Sequence, residues 1–176
     1  MPDTTARPAA AAADQRARTP VAGAKRPSRA VIRINRAIVA TNVWIYRRSS
    51  GKVLGKFGRL DALLLTTQGR KSGKRRTNPV GYLYDNGRFI VLAAYGGNAV
   101  HPGWYHNLRT NPTVTVEIGA ETIRCTAALQ KSGAERDRLW KALTDVFPTF
   151  LKFQDKTERL LPIVVLTPDD LDPQEL

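Results

Sequence analysis

The chain has 176 residues, 42% of them apolar, and carries 28 lysines and arginines against 15 acids, a formal net charge of +13 at pH 7. That is enough for one domain with a real core, and the charge calls for anionic partners: a phosphorylated or carboxylated ligand, a nucleic acid or an anionic membrane surface. One cysteine, Cys125, excludes an internal disulfide and fits a reducing compartment, and no stretch approaches the ~18 apolar residues of a membrane span.

Residues 1–29 are rich in Ala, Pro and Arg and too poor in large apolar side chains to offset their ordering entropy, so they read as a disordered tail. The folded domain is expected over residues 30–168, with a short acidic tail at 169–176. Val31, Ile34, Ile38 and Ile45 recur at helical spacing, interleaved with Arg33, Arg36, Arg47 and Arg48. This is a basic amphipathic helix over about 30–48. It packs on the domain or lies peripherally on an anionic membrane.

The apolar run Ala62–Leu65 then enters a basic loop, Thr66–Pro79, in which five of the seven residues from Arg70 to Arg76 are cationic and none is acidic. Gly69 and Gly73 let the backbone turn its N–H groups towards one point, and Lys and Arg around such a concavity hold an anion. Val80–Tyr84 is a strand, Asn86-Gly87 a hairpin turn, and Arg88–Ala94 a central strand buried on both faces. Tyr95-Gly96-Gly97 ends it. A short helix is expected over 101–108, stopped at Asn111-Pro112.

Val114, Val116 and Ile118, then Ile123, Cys125 and Ala127, alternate with polar residues in two strands joined at Gly119-Ala120. Ser132-Gly133-Ala134-Glu135 reads as a capping box for a helix whose apolar face is Leu139, Trp140, Leu143, Val146 and Phe147. Pro148 breaks it, Phe150 and Phe153 continue on a second short helix, and Leu161–Leu166 is the last strand. About six strands with short hairpins predict a mainly β protein with helices, a small barrel with the helices packed outside.

Protein-based chemistry finds little material. His101, His106 and Cys125 make no metal-ligand set, no Ser sits in a Gly-x-Ser-x-Gly elbow, and Asp85 is the only acid between Thr66 and Arg109. Hard chemistry, if any, belongs to a bound cofactor. The alternative of a basic nucleic-acid-binding module lacks its stacking platform, since residues 69–76 contain no aromatic side chain.

Three stretches carry a resemblance: Leu64–Gly73 with Arg76-Thr77-Asn78-Pro79, Ala93–Gly97, and Pro102–Leu108 with Asn111-Pro112. In this order and spacing the chain resembles the deazaflavin-dependent nitroreductase family, from about Ile34 to Pro168. The resemblance implies an FMN-binding-like, six-stranded split β-barrel with an N-terminal amphipathic helix and one or two C-terminal helices. It also implies a reductase that uses coenzyme F-420, an 8-hydroxy-5-deazaflavin with a phospholactyl-oligoglutamate tail. Hydride would pass to a small electron-poor apolar acceptor such as a quinone, an enone or a nitro-compound. The same barrel holding FMN or haem is the alternative.

Carried over by residue, Arg70, Lys71, Ser72 and Arg76 would grip the anionic tail. Thr77, Asn78 and Pro79, with Leu92, Ala93, Ala94 and Tyr95, would lie by the ring system. Gly103, Trp104, Tyr105, His106 and Asn107 would form the helix start against it. Phe147, Phe150 and Phe153 would wall the substrate pocket, standing where the family's best-known member has tyrosines. Tyr95 stands where that member has a lysine. Its hydroxyl is the candidate catalytic proton donor, with Tyr105 and water as the others. No metal and no nucleic acid is expected, and the expected location is the cytoplasm, with peripheral contact at the inner face of the cell membrane through residues 30–48 left open.

Overall fold

The computed structural model of the chain describes residues 29–171; most of both expected tails, at 1–28 and 172–176, lies outside the described residues. Among these residues the elements are α1 (Arg29–Arg48), β1 (Lys56–Phe57), β2 (Leu60–Gln68), β3 (Arg75–Asp85), β4 (Arg88–Leu92) and a 3-10 turn (Tyr95–Gly97). They continue with α2 (Gly103–Leu108), β5 (Thr113–Ile118), β6 (Glu121–Gln130), α3 (Ala134–Val146), α4 (Thr149–Asp155) and β7 (Ile163–Pro168). The strand order is β1-β2-β3-β4-β7-β6-β5, every pairing is antiparallel, and a further pairing of β2 with β5 closes β2–β7 into a six-stranded barrel. The expected split-barrel class stands, with the two-residue β1 added beside the start of β2.

Alternation along the strands decides what fills the barrel. Leu63 and Leu65 of β2, Val91 of β4, Val116 of β5, Cys125 of β6 and Val164 and Leu166 of β7 point inward, and Trp104, Tyr105 and Leu108 of α2 plug one end. The opposite faces of β4 and β7, with Ile90, Leu92, Ile163 and Val165, meet Leu139 and Leu143 of α3 and Phe150 of α4 in a second cluster outside the barrel. Helix α1 lays Val43 and Tyr46 on Leu64. The Tyr46 hydroxyl, only 2% exposed, donates to Ala62 O at 3.0 Å and accepts from the Gly119 N–H at 3.1 Å. One face of α1 is thus fixed to the barrel, while Ile34, Ile38 and Trp44 stay exposed.

Two local expectations change. The ladder between β2 and β3 runs on to Gln68↔Arg75, so Thr66–Gln68 and Arg75–Pro79 are strand, and the loop shrinks to residues 69–74. β-Branched Thr66, Thr67 and Thr77 suit such an extension. At α3 the capping box does not form. Gly133 is the N-cap at φ 91° with no side-chain cap bond, and the Glu135 carboxylate instead accepts from Arg138 at 2.8 Å and Arg88 at 3.2 Å. Two guanidiniums outcompete one backbone N–H for that carboxylate.

Candidate active site

The tight loop between β2 and β3 closes on itself. Gly69 N–H donates to Lys74 O at 2.9 Å, and the N–H groups of Ser72 and Gly73 both donate to Gly69 O. Its backbone donors are therefore largely used internally, and the anion-binding capacity rests on side chains rather than on the N–H concavity that the glycines suggest. Arg70, Lys71, Lys74, Arg75 and Arg76 are all exposed, and among the described residues none pairs with a carboxylate. The acids that do pair among the described residues all serve other parts of the surface; here five like charges crowd one corner, which is unfavourable unless an anion joins them.

Asn107 sets where this corner points. From α2 its Nδ2 donates to Thr67 Oγ1 at 3.0 Å, while its Oδ1 accepts the Arg70 N–H at 3.2 Å. One side chain thereby ties the barrel strand, the loop and the helix together, and both ends of its amide are spoken for. Thr66 Oγ1 and Thr77 Oγ1 bond across the ladder at 2.7 Å, and Asn111 Nδ2 donates to Gln68 Oε1 at 2.6 Å. Beside them runs an open groove of about 230 Å³ lined by Thr66, Thr67, Gln68, Gly73, Arg75, Asn111, Thr113 and Thr115.

Next to the corner the sheet is incomplete. β3 pairs with β4 only from Tyr82 to Asp85, so from Arg75 to Gly81 it has β2 on one side and no strand on the other. Pro79, which has no N–H to offer, is tolerated in such a half-paired strand. Thr77, Asn78, Pro79 and Val80 are all half-buried along it. β4 stops short because the chain turns away: Ala93 and Ala94 are buried, then Tyr95 (φ 49°), Gly96 (φ 66°) and Gly97 (φ 79°) are all left-handed. A Cβ on Gly97 would stand 2.7 Å from Phe153 O, so only glycine lets the turn seat on α4. Tyr95 itself is 55% exposed, a non-glycine residue held in a costly conformation at the edge of the site.

Helix α2 contributes two kinds of residue. Trp104 and Tyr105 are buried in the barrel core, while Gly103 is exposed with open space where a Cβ would stand, and His106 and Asn107 are half-buried. Burial, then the charges of Arg70 and Arg109, push His106 below the ordinary histidine range. The structure therefore brings Arg70–Pro79 and Gly103–Asn107 together through Asn107. Leu92–Tyr95 join through the adjacent sheet edge. Phe147, Phe150 and Phe153 sit elsewhere, in the outer cluster, where they meet Leu92 and Ala94 but not the basic loop. Phe150 is 4% exposed, and Phe147 and Phe153 lie at 4.9 and 6.3 Å from its ring centre.

Two residues of this region carry no role in the sequence reading. The Arg159 guanidinium donates to Ala93 O, Ala94 O and Asn98 O and faces His101 Nδ1, and His101 stacks on Tyr105 at 4.3 Å. His101 opens the short-helix segment and Arg159 precedes the last strand 58 positions later, and nothing in the sequence pairs them; only folding makes them neighbours.

The donor set suits a polyanion carrying a flat ring: unpaired cations at one end, and an unpaired strand edge with open space at Gly96 and Gly103 at the other. Comparison with known proteins points the same way. Residues 38–168 match the model of the F420H(2)-dependent quinone reductase family. The F420H(2)-dependent quinone reductase Rv1261c of Mycobacterium tuberculosis (strain ATCC 25618 / H37Rv) is 34% identical over 126 residues, 70% of this chain and 85% of that protein. Among solved structures, an F420-H2 dependent reductase is 38% identical with a TM-score of 0.55, covering 60% of this chain and 92% of its own. A domain-swapped dimer is 32% identical with a TM-score of 0.58, covering 74% and 96%.

Proposed function

From the premise that this chain belongs to the F420H(2)-dependent quinone reductase family, and is an oxidoreductase dependent on reduced coenzyme F-420, we propose how its residues divide the work. The bound coenzyme supplies the hydride for a small electron-poor acceptor; the chain binds, orients and dries the site. Arg70, Lys71, Ser72 and Arg76 hold the anionic tail. Thr77, Asn78 and Pro79 on the open edge, with Leu92, Ala93, Ala94 and Gly103–Asn107, bound the ring site. Phe147, Phe150 and Phe153, clustered with Leu92 and Ala94 outside the barrel, would back the acceptor side with an apolar layer that favours quinones over polar acceptors, and the Tyr95 hydroxyl is the candidate proton donor to the reduced acceptor oxygen. The observation that carries this reading is the uncompensated cation cluster fixed by Asn107 beside an unpaired strand edge.

The test is a titration of coenzyme F-420 with the protein, followed by quenching of its fluorescence, and then oxidation of the reduced coenzyme by a soluble naphthoquinone. Saturable quenching and quinone-dependent turnover are expected. Turnover by Tyr95→Phe equal to wild type on every acceptor would remove Tyr95 from the proposal and leave water as the donor.

A second reading concerns α1. Its exposed Ile34, Ile38 and Trp44 stand among arginines, the helix holds no acid, and its inner face is already occupied by the barrel. These features support peripheral contact of residues 30–48 with an anionic bilayer on the cytoplasmic side. No helix among the described residues is long and apolar enough to cross one. Co-sedimentation with anionic but not neutral vesicles, with a blue shift of Trp44 emission, is expected; equal recovery in the supernatant with both would sink this reading.

A further inference from the structure

We propose that Arg159 is a positioning residue that locks His101 as a neutral imidazole with its proton on Nε2, making that N–H a fixed donor to a carbonyl oxygen of a ligand in the site. The inference rests on the functional reading above for the ligand, but its first half stands on the protein alone. Arg159 Nε donates to Asn98 O at 2.7 Å, Nη2 to Ala94 O at 2.7 Å, and Nη1 to Ala93 O at 3.2 Å. Its Nη1 also lies 3.1 Å from His101 Nδ1. Arginine stays charged and cannot accept, so Nδ1 must be the acceptor and the ring proton must sit on Nε2.

With these carbonyls and His101 to serve, the guanidinium has almost no donor left for a ligand. It acts through what it holds: the end of β4, the left-handed turn after it and the imidazole. Nε2 has no hydrogen-bond partner among the described residues, and the ring is stacked on Tyr105 of α2, two residues from Gly103. Protonating Nδ1 would set two cationic N–H groups against each other. Burial, then Arg159, with His106 of α2 and Arg109 just beyond its end, hold the ring down to about 4. At neutral pH His101 is thus a hydrogen-bond donor and not a general acid: no proton leaves it, and the proton that completes acceptor reduction comes from elsewhere.

The chain has only two histidines, so a long-range proton–nitrogen NMR spectrum of tag-free, nitrogen-15-labelled protein resolves both, with His106→Gln for assignment. For wild type the expected result is an Nε2–H tautomer at His101 that persists from pH 8 to 5 and titrates near pH 4. A midpoint near 6.5, or a proton on Nδ1, would overturn the proposal without reference to any ligand. In Arg159→Met the midpoint should rise only part of the way towards the ordinary 6.5, because burial, the larger cause, remains; should that variant fail to fold, the wild-type spectrum still decides.

The donor half is read in His101→Phe, which keeps the stack on Tyr105, and His101→Gln, whose amide N–H stands near Nε2–H. If the oxygen is the coenzyme's, His101→Phe weakens fluorescence quenching about tenfold. If it is the quinone's, coenzyme affinity holds and turnover at saturating coenzyme falls about tenfold. In both cases His101→Gln recovers part of the loss. Both values unchanged in a folded His101→Phe would overturn the donor role. Absence of coenzyme binding by wild type would instead overturn the functional reading, leaving the tautomer result intact.

Discussion

Replacing Asn107 by alanine tests whether the basic corner is built or accidental. The substitution removes two hydrogen bonds, at 3.0 Å to Thr67 Oγ1 and 3.2 Å to the Arg70 N–H. Each is worth ~0.5–1.5 kcal/mol net, and Thr67 is only 1% exposed, so its hydroxyl has poor access to water. A loss of about 2 kcal/mol is expected, which for a domain of this size lowers Tm by roughly 5–8 °C. Binding should suffer separately. Freeing the backbone at Arg70 costs about 1–2 kcal/mol to re-order when the anion binds, or roughly 5- to 30-fold in coenzyme affinity. Thermal melts give the first number and fluorescence quenching the second. Asn107→Asp sharpens the test, because it keeps the acceptor for the Arg70 N–H but sets a carboxylate among the cations. If the corner holds a polyanion, Asn107→Asp binds coenzyme more weakly than Asn107→Ala. Equal or tighter binding by the aspartate variant would refute the reasoning.

Lys71→Ala should weaken coenzyme binding by ~1–3 kcal/mol, as a lost charge-assisted contact does, with a larger loss at low salt than at high salt; unchanged affinity in Arg70→Ala, Lys71→Ala and Arg76→Ala alike would leave the loop a mere solvated tip. Tyr46→Phe strands Ala62 O and the Gly119 N–H and should cost about 1–3 kcal/mol in denaturant melts while sparing coenzyme affinity, because the hydroxyl lies under α1 and not in the site. His101 is held from 6.5 down to about 4 when folded, so the unfolded chain binds the extra proton between those values and stability falls as pH drops through that window. The full 2.5-unit difference is about 3 kcal/mol at 1.36 per unit, and solvent access to the ring cuts this to roughly 1–2. His101→Gln should therefore lose that much less between pH 6.5 and 4; parallel curves for the two proteins would contradict it. Cys125 is fully buried and its thiol is pushed up to about 12, first by burial and then by Asp169 and Asp170, so iodoacetamide at pH 8 should label it only in denaturant.

Much of this was legible in the chain itself, because it depends on neighbours in sequence. Period-two alternation at Val114–Ile118 places β5 nearly to the residue, and Ile123–Ala127 marks the middle of β6, which runs from Glu121 to Gln130. Asn86-Gly87 fixes the β3–β4 turn, with positive φ at both positions. The density of cations at Arg70–Arg76 marks the exposed basic corner that no carboxylate among the described residues neutralises, since charge needs no partner to be read. Other features depend on who pairs with whom. How far the β2–β3 ladder climbs, and that β4 quits before covering Arg75–Gly81, follow from barrel closure of β2 on β5 and from the left-handed turn at Tyr95–Gly97. Glu135 leaves its expected cap because Arg88, 47 residues away in the chain, joins Arg138 of the same helix in binding its carboxylate. Phe147, Phe150 and Phe153 share a helical face in sequence, yet which layer they fill is set by the outer faces of β4 and β7. Asn107 and Arg159 owe their roles to contacts 37 to 66 residues away along the chain. A hydrogen bond depends on position to within tenths of an ångström, and only the closed barrel brings such distant groups to that distance.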